Sequence, residues 1–213
     1  MQLGIENFRH RSAIILVHAA VLFSALLPAS GASPPNVLPD QLDGSCTIEF
    51  AASSTLHAFA GVAAETSFVL RQREDNALWE AEIEVPVARL TTDNRWRDAN
   101  MRAMFDSEHH PNIRASFANI DPTRARPAQA SAAGVLPFTL QIRDVRRTVV
   151  GRVRHWQQTD QEASFDVDAV VSLRDFGLEA PTTMGFVKVQ DEVTITAHVL
   201  VHKAAQRGDE VIP

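Results

Sequence analysis

The chain has 213 residues, 45% of them hydrophobic and 22% charged, with a formal net charge of −6. That length and apolar fraction suit one domain of roughly 150–200 residues with a proper core, and they exclude wholesale disorder. The acidic balance, with only two lysines among 20 basic residues, argues against a nucleic-acid partner or a polybasic membrane patch; a single cysteine excludes a disulfide framework and a zinc site of paired thiolates.

Arg9, His10 and Arg11 precede an apolar run from Ala13 to Leu27, which ends in Pro28-Ala29-Ser30-Gly31-Ala32. A basic start, a short apolar stretch and small closing residues read as a secretory signal peptide over residues 1–32. A permanent spanning helix needs about 18–20 apolar residues, and this run is shorter and carries His18. The expectation is cleavage near Gly31 or Ala32, no stable membrane insertion afterwards, and a protein that is periplasmic or secreted. Cys46 lies far from the apolar run and fits lipoprotein processing poorly. Residues 33–44, with three prolines, read as an extended lead-in; 45–203 form the domain and 204–213 a flexible tail.

Within the domain the dominant pattern has period two, the mark of half-buried strands. Ile48 and Phe50 alternate with Thr47 and Glu49. Val62, Ala64, Thr66, Phe68 and Leu70 share the next face. Trp79, Ala81, Ile83, Val85 and Val87 alternate with Glu80, Glu82 and Glu84. Thr91-Thr92-Asp93-Asn94 then supplies capping residues, and Arg95 to Phe105 is rich in helix formers without a β-branched residue, so one main helix is expected near 93–105. The strand pattern resumes at Ile113, Ala115 and Phe117. Residues 121–131 read as a polar loop. Leu136, Phe138, Leu140 and Ile142 follow, then Thr148 to Trp156, then Phe165, Val167, Ala169, Val171 and Leu173, and last Val193, Ile195, Ala197, Val199 and Val201. Eight one-sided strands with one helix must cover one another, as a sandwich or a closed antiparallel barrel. At eight strands a barrel either fills with side chains or holds one small ligand.

Four stretches stand out as motifs. The first is Ser54-Thr55-Leu56-His57-Ala58-Phe59-Ala60-Gly61. The second runs from Leu90-Thr91-Thr92 through Arg97-Asp98-Ala99-Asn100-Met101-Arg102 and Met104-Phe105-Asp106 to Pro111-Asn112-Ile113 and Phe117. The third is Gly134-Val135-Leu136 through Arg143-Asp144-Val145 to Val149, and the fourth is Arg174-Asp175-Phe176-Gly177-Leu178 with the strand Asp191 to Ile195. Together these four stretches resemble the YceI-like family. Asp144 stands where the family commonly turns on glycine, and Asn100 precedes Met101 where many members carry His before Leu, so a role tied to that His does not transfer. The resemblance implies an all-β, eight-stranded antiparallel lipocalin-like β-barrel, and a function of binding polyisoprenoid lipids.

Motifs that carry chemistry are sparse. His57, beside a strand end, reads either as a headgroup contact or as a hydrogen-bonded structural histidine. His109 and His110 are adjacent in a loop, and His198 and His202 lie about 13 Å apart along one strand face, too far to chelate one ion. Asp98, Asp106 and Asp175, beside Arg97, Arg102 and Arg174, read as caps and ion pairs rather than a catalytic pair. Neither a Gly-x-Ser-x-Gly elbow nor a phosphate loop occurs. Arg143, Arg146, Arg147, Arg152 and Arg154 form a local basic cluster that could meet an anionic headgroup, though a solvated hairpin face is the commoner explanation.

The expected ligand-binding set is therefore the apolar interior. It comprises Phe59, Phe68, Leu70, Ile83, Val85, Phe117, Phe138, Leu140, Phe165, Val167, Phe176 and Ile195, with Met101, Met104 and Phe105 closing one end and His57 at the headgroup. No catalytic residue, metal or cofactor is expected beyond a bound isoprenoid lipid or quinone, or a similar long amphipathic lipid. Two other readings stay open: a small exported enzyme acting on such a lipid through His57 and a neighbouring carboxylate, and a ligand-free interaction barrel. The oligomeric state, a homodimer included, is left open by the sequence.

Overall fold

The computed structural model describes residues 41–55, 58–128, 132–180, 182–183 and 187–203. Its strands are β1 (Gln41–Ser54), β2 (Ala58–Gln72), β3 (Trp79–Pro86), β4 (Leu90–Thr91), β5 (Asn112–Ile120), β6 (Gly134–Ile142), β7 (Val145–Gln158), β8 (Glu162–Ser172), β9 (Thr182–Thr183) and β10 (Val187–Lys203). Two helices, α1 (Arg95–Phe105) and α2 (Pro122–Ala125), and 3₁₀ turns at Val87–Arg89 and Arg174–Phe176 complete the described elements. The eight long strands follow the order β1-β10-β8-β7-β6-β5-β3-β2, and pairing of β1 with β2 closes the ring. Every pairing is antiparallel. The result is the closed eight-stranded barrel, which leaves no long edge strand open to another chain. The short strands sit off the ring, β4 on β2 and β9 on β10.

Alternation explains the wall. Along β8, Val167, Ala169 and Val171 are buried, while Asp166 and Asp168 face outward and pair across the ladder with His198 and Thr196 of β10. One strand departs from the expected face. In β2 an extra residue opposite β1, between the pairs Cys46–Thr66 and Ile48–Ala63, makes a bulge. Ala63 therefore points inward, and Val62 and Ala64 point out instead of sharing the face of Phe68. A second bulge in β7 puts His155 at φ 52°, with its Nδ1 2.6 Å from Asp166 Oδ2.

α1 starts where its caps place it. The Asn94 side chain accepts from the N–H groups of Trp96 and Arg97, both at 3.1 Å, and Asp106 in the left-handed region ends the helix. β1 begins at Gln41, so the last four residues of the expected lead-in are strand. The supposedly structureless 121–131 loop contains α2, capped by Asp121 and opened by Pro122 at its first turn. The β6–β7 hairpin turns tightly over Arg143 and Asp144, with Arg143 carrying the positive φ that a glycine would otherwise supply. Tail residues 204–213, the lead-in before Gln41 and the proposed signal segment lie outside the described residues. Among the described residues no helix is long and apolar enough to cross a membrane.

The strand register divides the interior into two halves. At one end, near α2, Phe68, Trp79, Leu136 and Val153 are buried and fill the barrel, and Trp156 stacks on Phe165 with ring centroids 4.8 Å apart. Gly44 makes room there for the Phe68 ring, which its Cβ would strike. At the other end, near α1, the interior is not filled.

Candidate functional site: an apolar cavity beneath the helix

That unfilled half is a cavity of about 240 Å³, counted as space for the centre of a water molecule. One water needs roughly 10–15 Å³ by this measure, so the void is of ligand size. Alternate residues of six strands line it. They are Cys46, Ile48, Phe50 and Ala52 from β1, Ile83 and Val85 from β3, Ile113, Ala115 and Phe117 from β5, and Phe138, Leu140 and Ile142 from β6. β8 adds Val167, Ala169 and Val171, and β10 adds Val189, Val193, Ile195, Ala197 and Val199. Phe59, Leu90 and Leu173 join from strand ends, and α1 covers the space with Arg97, Met101, Met104 and Phe105. β7 contributes no lining side chain among the described residues; at its Gly151 the space is taken by Val167, whose Cγ1 would lie 2.7 Å from a Cβ there.

The helix is held over the cavity by a buried carboxylate. Asp98 is 8% exposed and accepts three hydrogen bonds, from the Thr91 hydroxyl at 3.0 Å and from the Thr92 N–H and hydroxyl at 2.9 and 2.6 Å. Burial alone pushes its pKa up, but these bonds and the nearby Arg102 charge outweigh it and hold the carboxyl below the usual range. Asp98 is thus an ionised tether that ties α1 to β4 and the residue after it. Cys46, 2% exposed, has its thiol pushed up to about 11, first by burial and then by Glu65.

Arg97 is the single charged side chain on the lining among the described residues. Its Nε donates to Thr92 Oγ1 at 2.9 Å, and its guanidinium carbon lies 4.5 Å from the centroid of the Phe59 ring.

The expected set divides accordingly. Phe59, Ile83, Val85, Met101, Met104, Phe105, Phe117, Phe138, Leu140, Val167 and Ile195 do line the cavity. Phe68, Leu70 and Phe165 do not; they belong to the packed far half. Phe176, buried in the 3₁₀ turn after β8, also lies off the lining. His57 lies outside the described residues. The basic cluster is not at the cavity either: Arg154 pairs with Asp168 on the outer face of β7, and Arg146 bonds to Gln141. His109 and His110 stay by Asp106 and Asp144, and Arg174 faces Asp191. Among the described residues no cluster of three or more His, Cys, Asp or Glu could hold a metal ion.

With the geometry in view, comparison with known proteins is decisive at the level of family. The profile of the YceI-like domain matches residues 42–201, which is the whole barrel. The chain belongs to the YceI-like family. Among solved structures, this YceI-like chain is similar to BcnA of Burkholderia cenocepacia, at 16% identity and a TM-score of 0.59 over 73% of this chain and 95% of that one. It is similar to a polyisoprenoid-binding domain from Saccharophagus degradans implicated in plant cell wall breakdown, at 11% identity and a TM-score of 0.59 over 77% and 98%. A mutant Campylobacter jejuni YceI protein with a monobromobimane guest matches at 14% identity and a TM-score of 0.50 over 68% and 85%. No curated protein matches the chain significantly in sequence. At these identities the structural likeness establishes the fold.

Proposed function

We propose that this YceI-like protein is an exported, non-catalytic carrier that holds a polyisoprenoid or similarly long amphipathic lipid in the barrel. The observation that carries the reading is the cavity beneath α1, lined by apolar side chains with one cation at its helix side. A buried methylene contributes roughly 0.8 kcal/mol, so about ten of them supply some 8 kcal/mol before ordering costs, of micromolar order. Elaborate polar recognition of the tail is unnecessary. Methionines on the covering helix adapt to a tail of variable shape. The S. degradans domain, described as polyisoprenoid-binding, supports the same class of ligand. Binding without turnover is favoured over an enzyme because acid–base or nucleophilic catalysis needs a titrating group at the reacting atoms. Among the described residues, which do not include His57, the lining offers only Arg97 and a thiol held protonated.

The test is to purify the protein from its own host, extract it with organic solvent and identify the extract by mass spectrometry. An isoprenoid lipid in near-stoichiometric amount is expected. Lipid-free protein that also fails to take up added prenols, or a bound lipid that is chemically altered on incubation, would overturn the carrier reading. Fractionation of the same host checks export: the protein is expected outside the cytoplasm and shortened by about the length of a signal peptide.

A further inference from the structure

We propose that Arg97 is the anchor for an anionic headgroup, so that the cavity selects lipids ending in a phosphate or a carboxylate over neutral ones. The proposal rests on the lipid-binding reading above and adds the class of headgroup. Three observations carry it.

The first is position. Among the described residues Arg97 is the only charged group lining a space otherwise made of aliphatic, aromatic and thiol side chains, and it stands at the helix end of that space. The second is orientation. Nε is fixed on Thr92 Oγ1, whose own proton is already donated to Asp98, and the planar group is seated on the Phe59 ring. The third is charge balance. Arg73, Arg114, Arg154 and Arg174 each face a carboxylate on the outside of the barrel, and Arg95 and Arg152, which have no ion pair among the described residues, are exposed to water. Arg97 has no ion pair among the described residues, and its neighbour Asp98 spends its oxygens on Thr91 and Thr92. Nη1 and Nη2 likewise have no hydrogen-bond partner there, so the fork of donors is unspent beside an apolar space.

A half-buried cation without a counter-ion is unfavourable, and the apolar surroundings strengthen any ion pair it forms. Guanidinium presents parallel donors that match two oxygens of a phosphate or carboxylate, a geometry a hydroxyl cannot return. The tail would then lie among the strand residues while the head meets Arg97 under the first turn of α1.

Delipidated protein is titrated with geranylgeraniol, geranylgeranyl phosphate, hexadecanol and hexadecanoate, and each anionic ligand is compared with its own alcohol. Wild type is expected to favour the anion by about tenfold or more, the order of one charge-assisted hydrogen bond. Arg97→Gln should bring each pair within about threefold, with the anions losing more affinity than the alcohols. Arg97→Lys, which keeps the charge but not the fork, should retain a reduced preference; it serves as the test if Arg97→Gln fails to show a cooperative melt. Preference confined to the phosphate or to the carboxylate identifies which anion the site takes, and supports the proposal. Equal wild-type affinity for alcohol and anion, or an undiminished preference in Arg97→Gln, overturns the headgroup assignment and leaves the carrier reading standing. Failure of all four ligands to bind overturns both.

Discussion

Phe50 and Gly61 face each other across the β1–β2 ladder, and the phenyl ring occupies the place where a side chain on Gly61 would be. A Cβ on Gly61 would lie 2.6 Å from the Thr91 carbonyl oxygen and 2.8 Å from Phe50 Cε2. The carbonyl belongs to the strand that leads into α1 and cannot withdraw, so the ring must turn toward the cavity it lines. Gly61→Ala is expected to destabilise by about 1–3 kcal/mol through overpacking and also to weaken lipid binding. Gly44→Ala, which strikes Phe68 in the filled half, should cost similar stability but leave lipid affinity unchanged. Thermal melts paired with lipid titrations of the two variants separate these outcomes.

The two halves of the interior should also answer differently to truncation. Phe138 stacks on Phe117 with centroids 5.0 Å apart and faces existing empty space, so Phe138→Ala enlarges a void rather than creating one. Phe68→Ala, in solid packing, should cost about 3–5 kcal/mol, and Phe138→Ala distinctly less in the lipid-free protein. Lipid affinity should fall in the Phe138 variant alone. Denaturant titration of both lipid-free variants is the check; equal losses would mean that the cavity is packed in solution.

Asp98 ties the covering helix down. Asp98→Ala leaves the buried Thr92 N–H without its acceptor, for an expected loss of about 1–3 kcal/mol. Because the native pKa is depressed, the ionic contribution is full above the ordinary carboxylate value near 3.8 and disappears as pH falls through the lower native value. Hydrogen exchange should show residues 95–105 losing protection in the variant while the strands keep theirs.

On the outer wall, Asp166 accepts from two imidazoles, His155 at 2.6 Å and His198 at 2.8 Å. The His198 pKa is raised, chiefly by that bond and against the effect of burial, with Glu49 and Asp168 adding to the rise. Burial pushes the Asp166 pKa up, but the two imidazoles outweigh it and lower it. The His198 contribution is complete below its ordinary value near 6.5 and is lost as pH rises through the raised one; the Asp166 contribution is complete above about 3.8 and is lost at lower pH. Stability from this cluster should peak between about pH 4 and 6.5. Melting temperatures from about pH 4 to 9 should decline less steeply above neutrality in His198→Gln than in wild type.

A thiol with its pKa near 11 is about one part in a thousand thiolate at pH 8, and Cys46 is buried besides. Native protein is expected to resist iodoacetamide at that pH and to be alkylated at a single site in urea. Mass spectrometry of the intact chain reads the result directly. Fast modification of the folded protein would contradict the burial.

Much of this was legible in the sequence because alternation reports which face a strand residue occupies. Ile83, Val85, Phe117, Phe138, Val167 and Ile195 were expected inside and line the cavity. Alternation does not report height along the barrel, so Phe68, Leu70 and Phe165 looked equivalent to them but lie in the packed half. The β2 bulge moved Val62 outward for a different reason: one inserted residue changes the face and leaves the composition intact. The signal for α2 was present as Asp121-Pro122, a cap followed by a first-turn proline, but the surrounding polar residues obscured it. Arg97 was missed as a cavity residue because it read as an ion-pair partner of the neighbouring Asp98, whose oxygens are instead taken by Thr91 and Thr92. Its seat depends on Phe59 and Thr92, contributed by other elements.

The last strand carries a consequence for how the molecule is made. β10 is hydrogen-bonded to β1 on one side and β8 on the other, so its register joins Leu42 to Lys203. Such sequence-distant pairing raises contact order and slows folding. Until β10 has docked, the wall has a gap, and the lining contributed by Val193, Ile195, Ala197 and Val199 is absent. The cavity therefore exists only in the closed ring: an occupant either enters a finished barrel or is enclosed as the ring shuts.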